Sequence, residues 1–109
     1  MLFTQVVFLF GRYGLTETSA GATLMECGDL RGHHVGAPIP SVQIRLRPWE
    51  EGGYSPNDKP FPRGEILISG GSVTRGYYKN PEATAEAFYT DKRGQRWFCT
   101  GKPLLDNAA

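Results

Sequence analysis

Cysteine is scarce in this chain: Cys27 and Cys99 are the only two among 109 residues. Two thiols, with no leader-like segment ahead of them, point to a reducing compartment rather than to a disulfide-stapled scaffold. Histidine is equally scarce. His33 and His34 are adjacent, so their side chains diverge on a helix or a strand, and no Cys/His spacing matches a metal site. Charge of one sign is lacking too. Twelve basic and eleven acidic side chains leave a net charge of +1, which creates no strong field for nucleic acid or anionic lipid. Long apolar runs are absent. Leu2 to Phe10 is apolar except for Thr4 and Gln5, far short of the ~20 residues that a spanning helix needs. It has neither a basic leading region nor a small-residue cleavage site, so a secretory signal is not expected. No internal repeat is found.

What is abundant is glycine and proline, 14 and 8 residues. With 39% hydrophobic and 21% charged residues, the composition is that of a soluble globular chain of at most one domain, rich in turns and short strands. Leu2 to Phe10 reads as a strand, with Val6-Val7-Phe8 favouring extended structure. Gly11 to Gly21 reads as a loop, Ala22 to Glu26 as a short strand, and Gly28 to Pro40 as irregular with a turn at Val35-Gly36-Ala37-Pro38. Val42 to Arg47 alternates apolar and polar strictly, which argues a half-exposed strand. Trp49 to Arg63 reads as a long surface loop. Glu65 to Ser69 is a further strand, closed by Gly70-Gly71. A helix is expected from Asn80, with Asn80 as N-cap, Pro81 at the first helical position and an alanine-rich run to Phe88. Arg96 to Cys99 is a last short strand, and Lys102 to Ala109 has no pattern and is expected to fray. The expected class is α/β, β-rich, with short strands and one short helix.

The segment Tyr13-Gly14-Leu15-Thr16-Glu17-Thr18 carries the most chemistry. It places an aromatic face, a glycine, two hydroxyls and a carboxylate within six residues, the parts needed to hold a base, a phosphate and Mg²⁺. It is followed by Trp49-Glu50-Glu51-Gly52-Gly53-Tyr54, Asn57-Asp58-Lys59-Pro60, Pro62-Arg63-Gly64-Glu65-Ile66, Gly76-Tyr77-Tyr78 and Trp97-Phe98-Cys99-Thr100-Gly101. In order and approximate spacing these resemble the adenylate-forming superfamily, and within it the long-chain fatty acid acyl-CoA synthetases. The similarity runs from Tyr13 to Gly101; residues 1–12 and 102–109 depart from the pattern. The resemblance implies that residues 1–109 form an internal piece of an adenylation (AMP-binding) domain.

The resemblance also implies a reaction. A fatty acid carboxylate attacks the α-phosphate of ATP to give an acyl-adenylate, and the CoA thiol then takes the acyl group. Tyr13 would lie against the adenine and Gly14 would let the backbone approach. Thr16 would contact phosphate or the metal's shell, and Glu17 would ligate Mg²⁺. Two residues break the pattern. Arg12 stands where the family has glycine, and Lys102 stands where the family has the aspartate that accepts from the ribose hydroxyls. An ammonium has three donors and no acceptor. The sequence holds no Ser/Thr/Gly-rich phosphate loop ending in lysine, no hinge and no catalytic lysine of a C-terminal domain. The expectation is therefore a chain that is inactive alone and binds ATP weakly. The parent family is commonly associated with the endoplasmic reticulum or other intracellular membranes; this chain, with no anchor, would be cytoplasmic.

Two other readings are open at this stage. One is a non-catalytic module that binds a nucleotide or docks onto a full-length relative. The other is a small β-barrel binding domain of the SH3 kind. A cut-out from a larger sheet is also expected to be marginally stable, with Val6, Phe8, Ile66 and Ile68 facing water and the best amide protection in Val42 to Leu46 and Glu65 to Ile68.

Overall fold

A computed structural model of the chain describes residues 12–31 and 34–104. Two antiparallel sheets organise it. The first joins β1 (Arg12–Tyr13), β2 (Thr23–Leu24) and β3 (Ala37–Pro38), in that order. The second takes β4 (Val42–Arg47), β5 (Gly64–Gly70), β6 (Phe88–Thr90) and β7 (Arg96–Leu104), and orders them β4-β5-β7-β6. The helix α1 (Pro81–Ala87) leads directly into β6. Among the described residues the expected β-rich architecture with one short helix is what forms.

The strict alternation of Val42 to Arg47 becomes β4 over the same bounds. Val42 is buried and Ile44 and Leu46 are half-buried, while Gln43, Arg45 and Arg47 are exposed. The pattern matches the two faces of a pleated strand. β5 has no such alternation because both of its faces are covered: Leu67 and Ile68 are each 0% exposed. β4 pairs with it from Val42↔Gly70 to Arg47↔Glu65, and β7 pairs with its other edge. Ala22, Val42 and Ile68 form a buried cluster, with Tyr13, Ile39, Ile44, Ile66 and Val73 packed against it. That cluster ties the first sheet to the apolar face of the second.

The helix begins as its sequence dictates. Asn80 caps it, its side-chain oxygen accepting from the Ala83 amide at 3.1 Å, and Pro81 takes the first position. It ends one residue earlier than the alanine-rich run suggests. Phe88 adopts extended backbone and pairs with Phe98, the two rings 5.2 Å apart. Burial of that ring outweighs one more residue of helix.

Three further expectations are corrected by pairing and packing. The turn at Val35 to Pro38 contains strand β3, because Ala37 and Pro38 find partners in Leu24 and Thr23. The segment after Gly101 does not fray at once: Pro103 and Leu104 pair with Glu65 and Gly64, and only residues 105–109 lie outside the described chain. Ile68 does not face water, and Ile66 is half-buried. The loop from Trp49 to Arg63 folds onto itself, through a Trp49↔Tyr54 bridge and an Asp58 carboxylate that accepts from the Ser55 amide and from Arg63 Nε at 2.8 and 3.1 Å. The expected strand Leu2 to Phe10, with Val6 and Phe8, lies outside the described residues.

The sheet order predicts an exchange pattern. β5 and β7 are hydrogen-bonded along both edges, whereas β4 and β6 each have one partner. Amide exchange is expected to be slowest in Leu67 to Ser69 and Trp97 to Cys99, with β4 alternating between protected and open amides. Hydrogen–deuterium exchange read by NMR checks this. Uniformly greater protection in β4 than in β5 would contradict the order.

Candidate functional site

The Tyr13 to Thr18 hexamer is held as a tight loop. β1 delivers Tyr13, whose amide donates to the Thr23 hydroxyl at 3.1 Å and whose carbonyl accepts from the Ala22 amide at 2.9 Å. A 3₁₀ turn follows over Thr16–Thr18. Thr18 is fully buried, and its hydroxyl both accepts from the Leu15 amide and donates to the Leu15 carbonyl, each at 3.0 Å. The two hydroxyls of the hexamer thus divide: Thr18 closes the turn from inside, and Thr16 is exposed. Gly14 is required by the loop itself. A Cβ there would lie 2.0 Å from the Ala20 carbonyl oxygen, so the close approach that needs glycine is between two parts of the loop.

Three ties fasten this loop to the segment after β5. The Ser19 hydroxyl donates to the Ser72 carbonyl at 2.8 Å, the Thr74 amide to the Glu17 carbonyl at 2.8 Å, and the Tyr77 hydroxyl to Glu17 Oε1 at 2.7 Å. The Glu17 carboxylate, by accepting that bond, holds the Tyr77 phenol above its ordinary range. The backbone of the same segment is clamped from β7. Arg96 donates through Nη1 to the Thr74 carbonyl at 2.7 Å and through Nη2 to the Arg75 carbonyl at 2.6 Å, its guanidinium stacked 3.8 Å from the Phe88 ring centre.

Tyr13 packs against the buried cluster, half-exposed, with its hydroxyl buried. Burial raises its phenol, an effect that the Thr100 side chain partly offsets. The hydroxyl has no partner at hydrogen-bond geometry, so Thr100 is a polar neighbour rather than a bonded one. Thr100 is thus a neighbour of the Tyr13 side chain. Gly101 takes a left-handed φ of 65°, and its amide donates to Glu65 Oε1 at 3.1 Å. Glu65 is itself buried against Arg47, whose Nε donates to its other oxygen at 2.9 Å. Lys102 is exposed, and so is Arg12 on β1.

Tyr13, Gly14, Thr16 and Glu17 are thus brought together, as the sequence alone requires of near neighbours. What the sequence did not reveal is the part played by Tyr77 and Arg96. Their partners lie 60 and 22 residues away along the chain. The available signal for Tyr77 was a Gly-Tyr-Tyr motif with no apolar alternation to bury it.

Metal-binding capacity is modest. Among the described residues no group of three or more His, Cys, Asp or Glu side chains is gathered. His34 Nδ1 accepts from the Gly36 amide at 3.2 Å and Nε2 lies 3.3 Å from Asp29 Oδ2 without hydrogen-bond geometry, while His33 lies outside the described residues. Glu17 is a lone carboxylate next to an exposed hydroxyl. Mg²⁺ is usually bound by one or two carboxylates together with substrate phosphates, so this donor set fits a cation that arrives with a nucleotide and not a dedicated cage. Cys27 and Cys99 are free thiols. Among the described residues no helix is long and apolar enough to cross a membrane.

The model of the AMP-binding enzyme family matches residues 2–78. The chain belongs to the AMP-binding enzyme family. It is 54% identical over 89 residues to long chain acyl-CoA synthetase 8 of Arabidopsis thaliana, an alignment covering 82% of this chain and 12% of that protein. It is 40% identical over 89 residues to fatty acyl-CoA synthetase A of Dictyostelium discoideum, covering 82% and 13%. The chain thus spans about an eighth of the length of these curated relatives. Among solved structures it is similar to the A-PCP didomain of carboxylic acid reductase from Segniliparus rugosus in complex with AMP. The TM-score is 0.65 and the identity 35%, over 94% of this chain and 13% of that one. A long-chain-fatty-acid-CoA ligase from Archaeoglobus fulgidus shares the fold, with a TM-score of 0.68 at 24% identity over 86% of this chain and 18% of its own. The fold of this AMP-binding family member is therefore part of an adenylation domain, and the small-barrel reading is set aside.

Proposed function

We propose that this chain is the nucleotide-side portion of a long-chain fatty acid–CoA ligase. The observation that carries the reading is the hexamer loop, tied to Tyr77 and lying beside Thr100, in a chain so similar to a long chain acyl-CoA synthetase. The activity in question is ATP-dependent activation of a fatty acid, followed by thioester formation with CoA. Within it, the half-exposed ring of Tyr13 would take the adenine, and Thr16 and Glu17 would face the phosphates. Glu17 would hold Mg²⁺, which when bound supplies charge neutralisation where carboxylate and phosphate anions meet. Gly14 serves this site by letting the loop close on Ala20.

By itself the chain would bind ATP only weakly. The exposed ammonium of Lys102 offers the ribose donors where an acceptor is wanted, and the exposed Arg12 side chain flanks Tyr13. A hydrogen bond involving a charged group is worth ~1.5–3 kcal/mol, so one loss of this kind costs ~10–100-fold. Isothermal calorimetry is expected to give a dissociation constant for Mg·ATP weaker than about millimolar. Lys102→Asp is expected to tighten it by at least ~10-fold. Micromolar binding that Lys102→Asp leaves unchanged would overturn the reading of this position.

A second role, docking onto a full-length relative, has one supporting feature. Leu24, Leu30, Phe61 and Tyr78 are exposed large side chains, at 52, 90, 46 and 88%. Scattered exposure of this kind is ordinary for a protein surface, so catalytic-domain membership remains the better-supported reading.

A further inference from the structure

We propose that Tyr77 is a positioning residue for the Glu17 carboxylate, and that it thereby sets how well the hexamer loop takes a divalent cation carried by a nucleoside triphosphate. The inference rests on the role given to Glu17 above.

The Tyr77 hydroxyl is aimed by two independent anchors. Its backbone amide donates to the Thr84 hydroxyl of α1 at 2.9 Å, and that hydroxyl in turn donates to the Asn80 carbonyl at 2.9 Å. Its ring lies 6.3 Å from the Phe88 ring, centre to centre. Next to it, Gly76 has no room for a side chain, since a Cβ would meet Thr84 Cγ2 at 2.5 Å. The phenol therefore projects from a fixed base, and its oxygen reaches Glu17 Oε1 at 2.7 Å. A phenol donating to a carboxylate is a charge-assisted bond.

The bond is not needed to hold the two segments together. The Ser19 hydroxyl on the Ser72 carbonyl and the Thr74 amide on the Glu17 carbonyl already do that. Tyr77 is 39% exposed, and at such a surface one more hydrogen bond adds little to folding. What the bond does is select one orientation of the Glu17 carboxylate, which sits half-buried on the turn. One oxygen is engaged by the phenol, and the other keeps its acceptor capacity for a cation. A hydrogen-bonded partner behind a carboxylate ligand orients it, and removing such partners typically costs ~10–100-fold in metal affinity.

The test compares the intact 109-residue chain with Tyr77→Phe, using Mn·ATP as probe and NMR as readout. The substitution removes the hydroxyl and keeps the ring on Phe88. Paramagnetic broadening detects binding even at millimolar dissociation constants. In the unsubstituted chain Mn·ATP is expected to broaden the amides of Gly14 to Thr18, and ATP without metal to shift those of Tyr13 and Gly14. In Tyr77→Phe the broadening is expected to fall by about 10-fold, while the metal-free shifts and the β5 and β7 resonances stay as they were. Equal broadening in both proteins would overturn the inference and leave the role of Glu17 standing. A parallel loss of broadening and of metal-free shifts would make Tyr77 a loop support only, which also overturns it. Absence of both effects in the unsubstituted chain would overturn the role of Glu17 and this inference together.

Discussion

Incubated with ATP, Mg²⁺, palmitate and CoA, the purified 109-residue chain is expected to form no detectable acyl-CoA. The first chemical step brings a carboxylate against a phosphate, anion on anion. Its transition state depends on several donors and cations already in place, and loss of a single such donor typically costs ~10²–10³-fold in rate. Holding the reactants in line contributes a comparable or larger share. Of the groups this reaction needs, the described residues offer the loop with Tyr13 and Thr16 and, for the cation, Glu17. The sequence has no Ser/Thr/Gly-rich loop ending in lysine, and Lys102 occupies the position where a ribose acceptor is expected. The separate losses multiply, and the product lies below what a thioester assay detects. Pyrophosphate release and acyl-CoA formation, followed by mass spectrometry on a sample free of contaminating ligase, check the expectation. Turnover at a rate ordinary for such enzymes would show that the chain assembles a complete site.

Leu67→Ala is expected to remove most of the stability of the isolated chain. Leu67 is 0% exposed and sits in the middle of β5, facing Arg45 on one neighbouring strand and Cys99 on the other. Truncating a buried leucine to alanine costs ~2–5 kcal/mol, through lost burial and the cavity left behind. A small domain has only ~5–15 kcal/mol in total, so this loss is a large share of it. The variant should therefore melt far below the unsubstituted protein, or show no cooperative transition. Leu24→Ala is the matched control: Leu24 is 52% exposed, and its loss should change the midpoint little. Thermal melting by circular dichroism reads both. Equal midpoints for Leu67→Ala and the unsubstituted chain would mean that the four-stranded sheet is not the stable unit.

Local order along this chain was legible in its sequence wherever one physical rule dominated. The alternation of Val42 to Arg47 specified a strand with one wet face, and the Asn80-Pro81 pair specified where the helix starts. Those features depend on residues two to four apart. The same holds for the hexamer, whose glycine, hydroxyls and carboxylate are near neighbours and reach one loop whatever the rest of the chain does. Family membership was legible for a related reason, because the motifs that carry it keep their order along the chain.

Pairing over distance was not legible. β3 and the far end of β7 exist because Leu24 and Glu65 offer them partners, and nothing in Ala37-Pro38 or Lys102-Pro103-Leu104 announces it. Phe88 leaves the helix for the same reason, to meet Phe98.

What the sequence determined by itself is a β-rich piece of an AMP-binding enzyme, with the glycine, hydroxyls and carboxylate of Tyr13 to Thr18 gathered in one loop. Only the tertiary structure decided that Gly14 answers to the Ala20 carbonyl, that Thr18 faces inward while Thr16 faces out, and that Tyr77 reaches the Glu17 carboxylate. The physical reason is that composition and spacing constrain contacts within a few residues, whereas the aim of a side chain across 60 positions is set by the packing of every element between them.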